Sequence, residues 1–483
     1  TFKFLKCIDF LHQDLDLGRR RRRSGRASPS RFAVRRARPL STIDMGDTSV
    51  SARFREPDPS KPRIVLAYSG GLDTSTQLAY LAHEKGYEVC AYIADLGQDD
   101  VKDKAAIEEI RDKAQASGAY SFECVDLRRE FIRDYVYECI RANCLYEGRY
   151  LLGTSMARPC IAKKQVELAW REKAEYVSHG STGKGNDQVR FELCYLGMDP
   201  NLKCVTLWRE PEYLAKFEGR QDLLDYASSH NIPVSQTKKH SYSEDENIMH
   251  ISYESGELED PAYPGVVTEY PGLVLKKKTQ DLMDTPDEPC RLEIDFDNGA
   301  PVAVREHDAS GNVTNTTGED PLALFAKLNE LAGIHGVGRI DIVENRYVGM
   351  KSRGCYETPA GTVLAAAHLD LETLTIDREV MRLRDTMSIK FSELVYNGYW
   401  FSPEMDFLRV AMDHAQKPVS GTVALHLHKG HVIPRGRSSP HSLYNKKLVS
   451  MDEEGGFVPQ NSTGFIQTLA TRLKAAKKRD AEL

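Results

Sequence analysis

Ser69-Gly70-Gly71-Leu72-Asp73-Thr74-Ser75 stands directly behind an apolar run at 64–68, and this junction decides how the rest of the chain is read. The pattern predicts a strand, a tight glycine turn and a helix start. Such a turn aims backbone N–H groups and the positive end of a helix dipole at an anion, above all the phosphates of a nucleotide. Two adjacent glycines permit positive φ and a close approach of backbone to ligand. The Ser and Thr hydroxyls add donors without bulk. The loop lacks the Gly-Lys-Ser/Thr ending of a Walker loop, so it is a different phosphate device. The same residues also fit a strand–helix turn that binds nothing.

Beyond this loop, strand patterns recur at 89–93, 121–125, 176–179 and 205–208. Helical patterns fall between them at 74–85, 103–116, 128–142, 157–173 and 221–230. Short apolar strands alternating with helices imply an α/β, doubly wound parallel sheet, a nucleotide-binding domain over 61–233. Ligands on such a sheet bind beyond the carboxyl ends of its strands, where the 69–75 loop lies.

Near Pro233 the character changes, and Pro261, Pro264, Gly265, Pro271, Pro286 and Pro289 punctuate the chain beyond it. Residues 291–315 alternate like antiparallel strands, with turns at Asn298-Gly299 and Gly311-Asn312. Helices are predicted at 321–332, 371–390 and 394–416, and a strand at 421–428. This defines a second, α+β domain over 234–455. An amphipathic helix at 464–478 comes after Gly455-Gly456 in a C-terminal tail, 456–483. Packing of that helix on a partner subunit and on its own domain both fit. Residues 1–60 read as a disordered or processed extension, with an arginine run at 19–23 and a second possible start at Met45.

The net charge of −6 hides an asymmetry: residues 1–44 carry +8 and the remainder −14. A body of −14 is a poor nucleic-acid binder, because neutralising phosphates needs a basic surface. No stretch approaches the ~20 apolar residues of a membrane span. The ten cysteines contain no C-x-x-C pair and suit reduced thiols in a reducing compartment. A cytoplasmic location is expected, with organelle targeting by the arginine-rich segment left open.

Four further segments concentrate glycine, hydroxyl and charged residues. In Tyr150-Leu-Leu-Gly153-Thr154-Ser155-Met-Ala-Arg158-Pro159, Thr154 or Ser155 would cap a helix beginning near Ala157. The loop from His179 to Arg190, with Gly180, Gly183, Lys184 and Gly185, forms a second anion-facing turn at the same sheet edge. The stretch 242–254 is acidic around Ser243 and ends near His250 and Ser252, and a solvated face fits it equally. The stretch 336–357, with Glu344 and Tyr356, alternates charged and apolar residues and also fits a plain salt-bridged strand.

Taken in order, these segments resemble the argininosuccinate synthase family, and the resemblance runs from Lys61 to the C-terminus. Ser-Gly-Gly-x-Asp alone is shared by many N-type ATP pyrophosphatases; the combination of segments is far more specific. The resemblance implies condensation of citrulline and aspartate driven by ATP → AMP + PPi. It implies ATP binding by Ala67, Tyr68, Ser69, Gly70, Gly71, Leu72, Asp73, Thr74, Ser75 and Ala94. On the second loop it adds Ser178, His179, Gly180, Ser181, Thr182, Gly183, Lys184 and Gly185. Citrulline would be held by Tyr150, Ser155, Asn186, Arg190, Ser243, Ser252, Glu344 and Tyr356, and aspartate by Thr182, Asn186 and Asp187. Mg²⁺ would share the charge of the departing PPi, and a homotetramer would form through the C-terminal helix. The long N-terminal extension and the spacing within 261–278 depart from the family pattern.

The chemistry suits these residues. The neutral ureido oxygen is a poor leaving group, so it would first attack the α-phosphorus, giving a citrullyl-adenylate that the aspartate amine then opens. Orientation and charge stabilisation dominate such a reaction. Arg190 suits the carboxylate of citrulline and Glu344 its ammonium. Asp73 and Asp187 are the candidate general bases. A tRNA-thiolating ATP pyrophosphatase, which needs reactive cysteines and a basic surface, and a non-catalytic ATP-binding scaffold are the competing readings.

Overall fold

The computed structural model describes residues 46–233, 242–263, 265, 277–318, 320–450 and 456–483. The arginine run, Met45, Pro264, Pro271 and Gly455 lie outside the described residues.

The first half is built on strands β1 (Val50–Arg53), β2 (Arg63–Ala67), β3 (Glu88–Asp95), β4 (Ser121–Asp126), β5 (Tyr176–Ser178) and β6 (Lys203–Val205), in the order β1-β4-β3-β2-β5-β6. β2 to β6 are parallel to one another, as the alternating pattern predicts. Consecutive residues of β2 and β3 serve opposite faces. Ile64, Leu66, Val89, Ala91 and Ile93 join one apolar cluster, and Val65, Cys90 and Tyr92 join another. A period of two with both faces apolar is what a strand covered by helices on each side requires. The Leu72–Ala79, Lys104–Ala116 and Arg220–Ser229 helices supply Leu78, Ile107 and Leu223 to the first cluster. The Gly153–Glu172 helix supplies Ala157, Cys160 and Val166 to the second. Each fully buried aliphatic side chain contributes about 1.5–3 kcal/mol.

Strand order reverses between β2 and β5, so the loops after these two strands open side by side at the switch point. That is where the 69–75 and 179–186 loops emerge.

The start of this half departs from expectation. The sequence pattern puts residues 1–60 outside the fold, yet β1 pairs antiparallel with β4, Val50 to Cys124 through Arg53 to Ser121. Thr48 donates to buried Asp95, and Arg128 donates to the carbonyl of Gly46 at 2.5 Å. The alternation in 50–53 is only half-buried, which leaves no apolar signal.

The second half adds β7 (Ser243–Glu246), β8 (Ile251–Glu254), β9 (Cys290–Asp297), β10 (Ala300–His307), β11 (Val313–Gly318), β12 (Arg339–Asn345), β13 (Lys351–Glu357), β14 (Gly421–His428) and β15 (His431–Ser438). They form two antiparallel sheets, β12-β13-β8-β7 and β11-β10-β9-β14-β15. The Asn298-Gly299 turn is present with φ of 48° and 80°, the positive pair that a two-residue hairpin requires. The two helices expected at 371–390 and 394–416 are three: Pro359–Thr375, Arg378–Asn397 and Pro403–Gln416. Asp377 caps the second through Glu379 and Val380 N–H, and Ser402 caps the third. The C-terminal helix spans Asn461–Glu482 with none of its residues buried.

The two halves share one core. A single apolar cluster holds Val65, Tyr92 and Val166 from the first together with Leu292, Phe325, Leu364 and Tyr396 from the second.

Candidate functional site

The two loops at the switch point form one wall of a cleft of about 640 Å³. Gly70 takes φ of 76°, and Gly71 stands as N-cap of the Leu72–Ala79 helix. Ser69 Oγ lies 3.0 Å from Thr74 Oγ1 and accepts from Gly71 N–H at 3.3 Å, so the loop carries its own brace. Lys113 Nζ donates to the Gly70 carbonyl at 3.0 Å from behind. Tyr68 and Ser75 hydroxyls meet at 2.9 Å beneath the loop, and burial pushes the Tyr68 phenol up to about 12.

Ala67, Tyr68, Ser69, Gly71, Leu72, Asp73 and Thr74 line this cleft from the first loop. Ala94 enters from β3, and His179, Gly180 and Ser181 from the second loop. Gly70, Ser75 and Ser178 stand behind the lining; Ser178 Oγ donates to the Val205 carbonyl at 2.7 Å. Thr182, Gly183 and Lys184 are exposed on the outer arm of the second loop, and Gly185 is half-buried where that arm returns to the helix.

The residues expected at citrulline gather on the other side of that loop. Tyr150 and Tyr356 stack with ring centroids 4.2 Å apart. Asn186, Arg190, Glu344, Ser155 and Ser252 are buried, while Ser243 is exposed at the start of β7. The Ser155 hydroxyl and Glu344 Oε2 are buried without a hydrogen-bond partner. Uncompensated buried polar atoms are costly, and a polar ligand reaching this cluster would offer both atoms a partner. Burial raises the Glu344 carboxyl above its ordinary value, with Tyr396 and Arg190 opposing.

Thr154 and Ser155 do not cap the helix as expected. It begins at Gly153, behind Leu152 in a left-handed turn at φ 61°, with no side-chain cap. Thr154 N–H instead donates to the Tyr150 hydroxyl at 3.3 Å, and its Oγ1 lies 2.9 Å from His250 Nε2.

Arg158, to which the sequence motif assigns no role, joins the two clusters. Its Nη2 donates to Asp187 at 2.7 Å and to Asp245 at 2.6 Å. Arg190 donates to the other oxygen of Asp187 at 2.8 Å. Burial opposes ionisation of Asp187, but the Arg158 and Arg190 guanidiniums outweigh it and hold the carboxyl well below its usual range. A carboxylate so held is a weak proton acceptor. Asp73 differs: burial raises its carboxyl, with Arg220 opposing. Lys277 reaches the cleft from beyond 276 and bridges Glu246 at 2.6 Å to Asp99 at 2.9 Å.

Among the described residues, His179, Glu192 and Cys204 bring three donor atoms within 4.8 Å of one another. Arg209 occupies the second oxygen of Glu192 at 2.7 Å, and burial pushes the Cys204 thiol up to about 12. A cation beside the carboxylate and a protonated thiol make this cluster a poor metal centre. The thiols of Cys90, Cys124 and Cys355 are likewise pushed up to about 12 by burial, which suits inert thiols and not the reactive pairs of a thiolating enzyme.

A cleft at the switch point of a parallel sheet, continued by a sheet-bearing second half, defines a two-part nucleotide-binding protein of the HUP class. Residues 63–233 match the family described as "Arginosuccinate synthase N-terminal HUP domain", and 242–476 match "Arginosuccinate synthase C-terminal domain". The chain belongs to the argininosuccinate synthase family. It is 54% identical to the argininosuccinate synthase of Thermotoga sp. (strain RQ2) over 414 residues, covering 86% of this chain and 97% of that protein. The proteins of that name from Xenopus laevis and Homo sapiens are each 52% identical, again covering 86% of this chain and 97% of theirs.

Proposed function

We propose that the protein is a C–N ligase of arginine biosynthesis: it condenses citrulline and aspartate to argininosuccinate, converting ATP to AMP and PPi through a citrullyl-adenylate. The observation that carries this reading is identity of 52–54% across both halves to argininosuccinate synthases. The Arg158–Asp187 pair, which joins the nucleotide cleft to the Tyr150–Tyr356 cluster, supports the same reading.

ATP occupies the switch-point cleft, its phosphates against the 69–75 loop and its remainder toward Ala94 and Gly180. Arg190 and Glu344 hold the carboxylate and ammonium of citrulline, between the stacked tyrosines and the Ser155 hydroxyl. Asn186 serves both amino acids, and Asp187 with Thr182 of the outer arm serves aspartate. Citrulline's ureido oxygen displaces PPi at the α-phosphorus, and the aspartate amine then displaces AMP. The protein's part is to orient three reactants, neutralise charge and keep water away.

Mg²⁺ would bind chiefly through the phosphate oxygens, with Asp73 or Asp100 of the cleft lining as a hard oxygen donor, since Lys277 already pairs with Asp99. When bound it neutralises phosphate charge. The protein forms a homotetramer, for which the exposed Phe465, Ile466, Leu469 and Leu473 of the C-terminal helix supply an apolar surface. A reducing, cytoplasmic setting suits its free cysteines. The test is release of AMP and PPi from ATP, required to depend on citrulline and aspartate together. Release that ignores either amino acid sinks the proposal.

A further inference from the structure

We infer that Tyr396, on the Arg378–Asn397 helix, is a positioning residue that sets Asn186, Arg190 and Glu344 as one rigid receptor for the amino-acid end of citrulline. The inference rests on the function proposed above and deepens it.

No signal in the sequence singles out Tyr396, the next-to-last residue of its helix, yet it touches three members of the expected citrulline set. Its hydroxyl donates to Glu344 Oε1 at 2.9 Å and accepts from Asn186 Nδ2 at 3.0 Å. Its carbonyl accepts from Arg190 Nε at 2.7 Å, and the Arg190 guanidinium lies 4.8 Å from its ring centroid. Tyr146 stacks on the ring with centroids 3.7 Å apart, and Tyr396 is fully buried. Asn186 and Arg190 stand at the start of one helix, whereas Glu344 lies on β12, far off in sequence, so the Tyr396 hydroxyl ties that strand's carboxylate to the helix start.

The local backbone enforces the arrangement. The helix ends two residues on at Gly398, with φ of 90°, and a Cβ there would sit 2.6 Å from the Arg190 Cα. Glycine thus lets the end of the Tyr396 helix dock directly on the Arg190 backbone. The outcome is directional: Tyr396 occupies Glu344 Oε1, and Oε2, buried beside Tyr356, is the oxygen left to an ammonium. Asn186 gives its amide hydrogen to Tyr396, while its Oδ1 accepts from Tyr347 N–H at 3.0 Å, which fixes the flip of that amide.

The test is Tyr396→Phe, which keeps the ring, the backbone and the contact with Arg190 but removes the hydroxyl. The citrulline KM should rise about tenfold, in line with a lost hydrogen bond to a charged group. The KM values for ATP and aspartate should stay within about twofold of wild type by the same scale. The pH profile should move as well. Glu344 is faced by Tyr396, Arg190, Tyr356, Glu254, Tyr150 and Tyr146. Removing the hydroxyl that favours its ionised form should shift the acid limb of kcat/KM for citrulline to higher pH. Tyr396→Leu, which also removes the ring beneath Arg190, should raise the citrulline KM further. A Tyr396→Phe enzyme with unchanged citrulline KM and acid limb overturns the inference. So does one in which all three KM values rise together with a lowered Tm, which describes a structural residue only. A wild-type protein without citrulline-dependent turnover overturns the proposed function and this inference with it.

Discussion

Gly180 stands so close to Thr74 that a Cβ on it would come within 2.7 Å of the threonine Cγ2. The two loops of the nucleotide cleft, over a hundred residues apart in the chain, therefore touch at a point with no room for one more carbon. Gly180→Ala should displace Thr74 and loosen the Ser69–Thr74 brace. An overpacking cost of about 1–2 kcal/mol converts to roughly a tenfold rise in the ATP KM. Citrulline KM should change little. Steady-state kinetics check this, and an unaltered ATP KM would refute the contact's role.

Arg158 is the only positive group bonded to both Asp187 and Asp245 among the described residues. Arg158→Met should cost about 1–3 kcal/mol in urea unfolding, since it leaves half-buried Asp245 without its guanidinium while Asp187 keeps Arg190. Adding Asp245→Asn should recover part of that loss. Strict additivity of the two substitutions would show that they are not coupled.

His250 gives stability a pH dependence. Burial first, then Lys278 and Arg158, push its imidazole down to about 3 from 6.5. The unfolded chain takes up a proton below about pH 6.5 that the folded protein refuses. The stability held by neutral His250 is thus complete above about pH 6.5 and falls as pH drops toward about 3, by roughly 5 kcal/mol in all. His250→Phe should flatten that part of the Tm-against-pH curve relative to wild type. Parallel curves for the two proteins would contradict the assignment.

The start of the fold can be located by truncation. Removing residues 1–44, which the sequence reads as a disordered or processed extension, should leave kinetics and Tm unchanged. Removing 1–53 takes away β1 and should lower Tm and promote aggregation, since β4 becomes an unprotected edge. Equal behaviour of the two truncations would show that β1 contributes nothing.

Leu469 and Leu473 lie one helical turn apart on the exposed C-terminal helix. Replacing both by Asp should reduce the sedimenting mass if that face joins subunits. A mass unchanged by the pair would remove the helix from the proposed tetramer interface.

The first half is readable because its signals are local. Apolar strands such as 64–68, glycine turns and helical spacing all appear within a few residues of one another, and β2 to β6 follow from them. β1 escapes because an edge strand buried on one side carries little apolar pattern. In the second half, helix limits are misplaced where Asp377, Gly398 and Ser402, and not a change in periodicity, mark the ends. The loops of the site are visible as motifs. Arg158 lies inside one without a legible partner, because Asp187 and Asp245 are distant in sequence. Tyr396 is invisible, since its importance arises only from three contacts made by the folded chain.

The apolar cluster that runs unbroken from Val65 to Tyr396 has a consequence for how the enzyme holds together. The boundary near 233 separates two sequence families but not two units of cooperativity. Neither half can melt without exposing surface that the other covers, so both should unfold in a single transition. A ligand that bridges residues of both halves would then stabilise one common state.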